Sequence, residues 1–366
     1  MNAVEDIGRI LTHLTSFIIR HDCPSLFNFR QLQSPSKTAH KLLVSSKRRV
    51  QYSCPIEVSR FNYVHNVVAC CRAVKLSTVI GMSRAPLDWP GYSRHLSVLV
   101  ELFDGKASTQ DTAYGLASVA LSKGTSEDDL ATGIGLIWAT VIICAKERPD
   151  HIEQLVDVLV KIAQLSDAVD EHKSPLTLYG MQIWHRMPTL SWEFNDEYNG
   201  FHIPTDEQRQ IGPPALRTIS SSELIRQFAN LNVFVAMLAK TGLPAFDFSL
   251  FALWTMRAAL ETPADKARLD QPLEAWIPAA AAWTRVTGDQ VFRWDHEYPS
   301  GPRVGAPGKG GPLWQGKHGF CYERWQLWRS RFQYLGTQDH VLDPETRRIA
   351  KEAASRMAEM DIKPLA

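Results

Sequence analysis

Hydrophobic positions in the second two-thirds of this chain recur at intervals of three and four, and most runs open on a residue suited to cap a helix. Ser108-Thr109 precedes an Ala/Leu-rich run that ends at Lys123-Gly124. Thr125-Ser126-Glu127-Asp128-Asp129 opens a second run through Cys144, with its acids at the positive end of the helix dipole. Pro149-Asp150 opens a third, Ile152–Leu165, where Leu155, Leu159 and Ile162 predict a buried stripe. Ser220-Ser221-Ser222-Glu223 starts a helix through Leu238 that stops at Thr241-Gly242. A run from Phe246 to Leu260 ends at Thr262-Pro263. Another, Leu273–Val286, holds Leu273, Trp276, Ile277, Ala280 and Trp283 on one side before Gly288 closes it. A Gly/Pro loop is expected over residues 296–319. Two helices then follow, one with Trp325, Trp328 and Phe332 on a single face, the other alanine-rich from Pro344 to Met360. Alternation at period two, the mark of a half-buried strand, is missing. The predicted fold is therefore all-α, a multi-helix bundle or layered helical array forming one domain over 87–366.

The first 86 residues read differently. Residues 24–55 are rich in Ser, Pro, Lys and Gln without a sustained period, so a basic, partly disordered extension is expected. Residues 1–88 hold 12 Lys and Arg against 5 Asp and Glu, including Lys47-Arg48-Arg49, and four of the six cysteines: Cys23, Cys54, Cys70 and Cys71. Over all 366 residues the formal net charge is only +1, which argues against a global attraction to nucleic acid or anionic membrane. Six cysteines in so long a chain do not make a disulfide scaffold, and no C-x-x-C pair suggests zinc. The most apolar segment, Ile134–Cys144, falls short of the roughly 20 apolar residues of a spanning helix and reads as core. These features point to a cytoplasmic protein without a membrane, nucleic-acid, metal or cofactor partner.

No reaction is spelled out by a motif. Gly311-Pro312-Leu313-Trp314-Gln315-Gly316-Lys317-His318 has phosphate-loop spacing as far as the lysine, but His318 stands where a hydroxyl is needed and Pro312 removes a backbone donor. Arg293-Trp294-Asp295-His296-Glu297-Tyr298 gathers groups capable of acid–base work, and equally reads as a polar helix end running into a loop. Trp184 and His185, with Glu193 and Trp192, form another aromatic-polar mixture. It reads either as a ligand face or as core anchors with capping polar groups. Arg324, Arg329 and Arg331 around the Trp325 face suit stacked or ion-paired structural roles.

Several segments together resemble a large set of fungal proteins grouped as a domain of unknown function (number 3632). They are Asn230-Leu231-Asn232 with its following helix, Trp254 through Glu261, Pro278–Trp283, Gly310 through Trp314, and Arg324-Trp325 through Phe332. The resemblance extends over about 88–336. It implies a fungal source, a helical fold and no established activity, and, by association, a place in secondary-metabolite biosynthesis. The expectation is a protein that binds a hydrophobic small molecule, as a cofactor-independent tailoring or isomerising enzyme. The alternative is a non-enzymatic helical interaction or scaffold protein. The candidate ligand-binding residues are Trp184, His185, Asn230, Asn232, Arg257 and Trp314. No catalytic residue is assigned, and buried Asn and Arg side chains must find partners in either case.

Overall fold

The computed structural model describes residues 93–212, 217–338 and 342–362, all within the unit Val67–Ala366 of the chain. The expected boundary near residue 87, the extension before it, Lys47-Arg48-Arg49 and the four N-terminal cysteines lie outside the described residues. Eleven helices are seen among the described residues: α1 Ser93–Phe103, α2 Thr109–Leu121, α3 Glu127–Glu147, α4 Ile152–Ala163, α5 Leu190–Gly200, α6 Asp206–Ile211, α7 Ser221–Lys240, α8 Ser249–Leu260, α9 Leu273–Arg293, α10 Tyr322–Thr337 and α11 Pro344–Ile362. Beyond isolated bridges, the described extended structure is one small hairpin, Thr177–Leu178 against Met181–Gln182, antiparallel. The fold is all-α.

Local chemistry sets the helix starts. The Ser108 side chain accepts a hydrogen bond from the Asp111 amide while the Asp111 carboxylate accepts one from the Ser108 amide, and the side chains of Ser126 and Ser220 cap α3 and α7 by accepting from the amides of Asp129 and Glu223. Helix α3 is apolar enough to cross a membrane by length and composition, yet Leu130, Ile134, Ile137, Trp138 and Val141 are buried inside the fold. An all-round apolar helix is what the centre of a layered array requires. The stripe Leu155, Leu159 and Ile162 on α4 is fully buried as well.

Three sequence expectations are corrected. Gly288 does not end α9, which runs on to Arg293 across a kink at Thr287 (φ −127°). Gly288 instead makes room for α11, since a Cβ there would lie 2.6 Å from Met360 Cε. The run from Phe246 begins as a 3-10 turn, Pro244–Phe246, with α8 starting at Ser249. Helices α5 and α6 were not anticipated, although Leu190, Phe194 and Tyr198 of α5 are spaced by four and buried.

The array is held by the α7–α9 contact, with α9–α11 and α10–α11 on one side and α2, α3 and α4 on the other. Asn232, fully buried on α7, sits at the crossing of four helices. Its Oδ1 accepts from Tyr198 Oη of α5 (2.6 Å), Trp283 Nε1 of α9 (2.9 Å) and Thr255 Oγ1 of α8 (3.1 Å), and its Nδ2 donates to the Phe228 carbonyl at 2.9 Å. One amide thus satisfies two buried donors, Tyr198 and Trp283, that would each be costly alone, while the single Thr255 proton also has the Phe251 carbonyl at 2.7 Å.

Candidate functional site

Between α9 and α10 the glycines and prolines prevent a helix, and the chain folds back on itself. Residues 296–298 run antiparallel to 318–320: the Tyr298 amide donates to the His318 carbonyl and the Phe320 amide to the His296 carbonyl, both at 2.9 Å. Gly319 is required in this pairing because a Cβ would sit 2.0 Å from the His296 oxygen.

Beneath these two limbs lies an ion pair with no solvent exposure. Arg324, at the start of α10, donates through Nε and Nη2 to the two oxygens of Glu261, just past the end of α8, at 2.7 and 3.0 Å. Its Nη1 donates to the carbonyls of Gly319 (2.7 Å) and Gly308 (3.0 Å). Glu261 also accepts from Trp328 Nε1 (2.7 Å) and from the Gly311 amide (2.6 Å). The guanidinium carbon lies 5.5 Å from the Trp328 ring centroid and 5.7 Å from that of Trp314. Taking two charges out of water is expensive, and only such complete hydrogen bonding offsets it. The Gly311 amide, part of the apparent phosphate loop, is engaged by the protein's own carboxylate.

His296 and Tyr298 of the first limb join Ser249 and Asp247, at the start of α8, in a line of four polar side chains. His296 Nε2 is 3.0 Å from Tyr298 Oη, Tyr298 Oη donates to Ser249 Oγ at 2.7 Å, and Ser249 Oγ donates to Asp247 Oδ1 at 2.7 Å. The line has one direction. A carboxylate only accepts, so the serine proton points to Asp247 and the tyrosine proton to Ser249. The remaining contact then needs the proton on His296 Nε2, which leaves Nδ1 with a free lone pair. Burial lowers the His296 pKa from its ordinary value; Lys317 also lowers it, while Asp247 and Asp295 oppose that shift. The imidazole is therefore neutral near pH 7. Burial pushes the Tyr298 phenol up to about 12, so it keeps its proton. Lys317 is held by Asp295 at 2.5 Å, and the rings of Phe320 and Trp294 lie 5.3 and 6.2 Å from the imidazole centroid. A neutral histidine with an available nitrogen, backed by hydroxyls and a carboxylate, is equipped to accept and return a proton.

The six sequence candidates do not converge on one place. Arg257 and Trp314 do meet the loop: Arg257 Nη1 donates to the Lys309 carbonyl (3.0 Å), and Trp314 Nε1 to that of Lys317 (2.9 Å). Asn230 donates to the Lys146 carbonyl at the end of α3 (2.8 Å), and Asn232 is the helix-crossing amide described above. Trp184 is 2% exposed, a core anchor. His185 Nδ1 lies 2.8 Å from the Ala163 carbonyl and Nε2 is 3.7 Å from Asp167. Trp192 is 40% exposed and rests against Tyr179. Nearby Glu193 has its carboxyl pushed up to about 7 by burial, with Asp196 and Glu197 adding to the shift. Trp325, Trp328 and Phe332 face the interior, Trp325 Nε1 donating to Asp361 of α11 (3.0 Å).

Sequence reading missed Asp247, Ser249 and Glu261 as site residues. Asp247-Phe248-Ser249 is a helix-start pattern, confirmed by the Ser249 amide donating to Asp247 at 3.3 Å, and nothing in it signals a partner 49 residues away. Among the described residues no group of three or more His, Cys, Asp or Glu side chains is gathered as a metal site needs.

The family described as protein of unknown function (DUF3632) matches residues 138–332, more than half of the chain and inside the span that the motifs suggested. That interval runs from the middle of α3 through most of α10, and so includes both the ion pair and the polar line. No curated protein and no solved structure matches the chain.

Proposed function

The chain belongs to that family, and we propose that it acts on a small hydrophobic molecule by cofactor-independent proton transfer, with His296 as the base. The observation that carries this reading is the one-way line from His296 through Tyr298 and Ser249 to Asp247. His296 Nδ1 takes a proton from the substrate, the imidazolium so formed lies near Asp247 and Asp295, and the same nitrogen returns the proton to a second position. A positioned base of this kind contributes on the order of 10²–10⁴ in rate. The half-buried Trp294, whose ring centroid lies 6.2 Å from that of the imidazole, offers an apolar face beside His296 for the body of the substrate.

The test has two parts. In ¹⁵N-resolved NMR, His296 should hold its proton on Nε2 and titrate below about 6.5. Metabolites retained by the purified protein from a cell extract should be lost with His296→Ala while circular dichroism and Tm stay unchanged. A proton found on Nδ1, or a His296→Ala variant that retains the same molecules and converts them at the same rate, rules the reading out.

A further inference from the structure

We infer that the buried Glu261–Arg324 pair is a positioning device for the His296 line, fixing the two loop limbs that aim His296 and Tyr298 at Ser249. The inference rests on the reading of His296 as the base, and it assigns Arg324 no contact with substrate.

The two limbs have few apolar anchors of their own. Phe320 is buried, but His296, Tyr298 and His318 are only half-buried, and Glu297 is exposed. Beyond their pairing with each other and the ring contacts of Phe320, the limbs are tied down by Arg324, whose Nη1 donates to the carbonyls of Gly319 on one limb and Gly308 on the adjoining turn. Gly319 in turn lies so close to the His296 carbonyl that a Cβ would sit 2.0 Å from its oxygen, so the residue that Arg324 binds backs directly onto the His296 backbone. Glu261 fixes the guanidinium from below and binds the Gly311 amide, and the Glu261 carbonyl accepts from the Leu313 amide at 3.0 Å. Glu261 follows directly on α8, the same helix whose first residue is Ser249. The helix thus holds the loop at one end and receives Tyr298 at the other. Arginine suits the task because its planar fork engages two carbonyls and a carboxylate at once, where a lysine ammonium is a single point.

Arg324→Lys keeps the charge and removes the fork. In that variant the His296 pKa, read from its ¹H–¹³C ring resonances, should rise toward about 6.5 as the limb loosens and the imidazole becomes hydrated. The Tyr298 and Phe320 amides, which pair the limbs, should exchange at least roughly tenfold faster with deuterium. Trp328→Phe is the matched control: it removes a donor to Glu261 while keeping an aromatic ring in the place that packs against Phe320 (6.0 Å between centroids), so His296 should titrate as in the parent. An Arg324→Lys protein that folds and leaves the His296 titration unchanged overturns the inference, as does an equal shift in Trp328→Phe.

If Arg324→Lys does not fold, exchange in the unmodified protein decides. The Tyr298, Phe320 and Gly311 amides and the Arg324 Nε proton should open together as denaturant is raised. Limb amides that exchange while Gly311 and Arg324 remain protected would overturn it. The reading of His296 as a base fails separately, through the tautomer and the His296→Ala variant.

Discussion

Replacing Asn232 by leucine, a side chain of similar size without an acceptor, tests whether one amide joins four helices. The Thr255 hydroxyl keeps the Phe251 carbonyl at 2.7 Å and loses little. Tyr198 Oη and Trp283 Nε1 each lose the acceptor that the structure gives them, inside a core where Trp283 has no exposure and Tyr198 only 6%. An orphaned buried donor costs about 1–3 kcal/mol, so two cost about 2–6 kcal/mol. The more apolar leucine returns about 1–2 kcal/mol, so the middles of the two ranges leave a net loss of about 2.5 kcal/mol. Urea unfolding followed by tryptophan fluorescence and circular dichroism measures this as a lower midpoint at constant slope. A second substitution sharpens the test. Tyr198→Phe alone should destabilise by about 1 kcal/mol, because Asn232 still has two other donors. In the Asn232→Leu background the same change removes an orphaned hydroxyl and should restore about 1 kcal/mol. A loss under about 1 kcal/mol for Asn232→Leu, or a Tyr198→Phe effect of the same sign in both backgrounds, would refute the reasoning.

Other expectations concern single side chains. Glu193 has a folded-state pKa raised to about 7, so the stability it contributes is complete below its unfolded value and is lost as pH rises through 7. Glu193→Gln should match the parent near pH 4 and exceed it at pH 8 by on the order of 2 kcal/mol in urea midpoints; a difference flat with pH refutes the shift. Gly133→Ala should destabilise by about 1–3 kcal/mol despite alanine's better helix propensity, because its Cβ would lie 2.2 Å from the Ala120 carbonyl where α3 crosses α2. Gly135→Ala, two residues on with open space around it, should instead stabilise by about 0.5–1 kcal/mol, and thermal melts that fail to separate the pair would count against that crossing. Trp325→Ala with Trp328→Ala should abolish cooperative unfolding, since each removes a buried indole worth about 3–5 kcal/mol; a doubly substituted protein that still melts sharply would place that face outside the core.

Most helices were legible because a helix is a local object. The Ser108, Ser126 and Ser220 caps, the Leu155–Leu159–Ile162 stripe and the Trp325–Trp328–Phe332 face depend on neighbours within a turn or two, and periodicity reports those directly. Gly288 shows where local reading fails. A glycine that ends a helix and one that admits a crossing helix look alike in sequence, and only the approach of Met360 tells them apart. Asn230 and Asn232 were picked as candidate ligand-binding residues and as polar groups that must find partners; apart from the Phe228 carbonyl, four residues from Asn232, those partners lie 23 to 84 residues distant.

The same separation hid the site. Sequence alone determined that the chain is helical, that Trp and Arg crowd its later part, and that a Gly/Pro loop precedes the Trp325 helix. Tertiary structure decided that Glu261 meets Arg324 across 63 residues and that Tyr298 meets Ser249 across 49. Hydrogen bonds between side chains require coincidence within about 3 Å, and for residues so far apart that coincidence is set by how whole helices pack. Periodicity fixes which face of a helix turns inward, and packing alone fixes what that face meets.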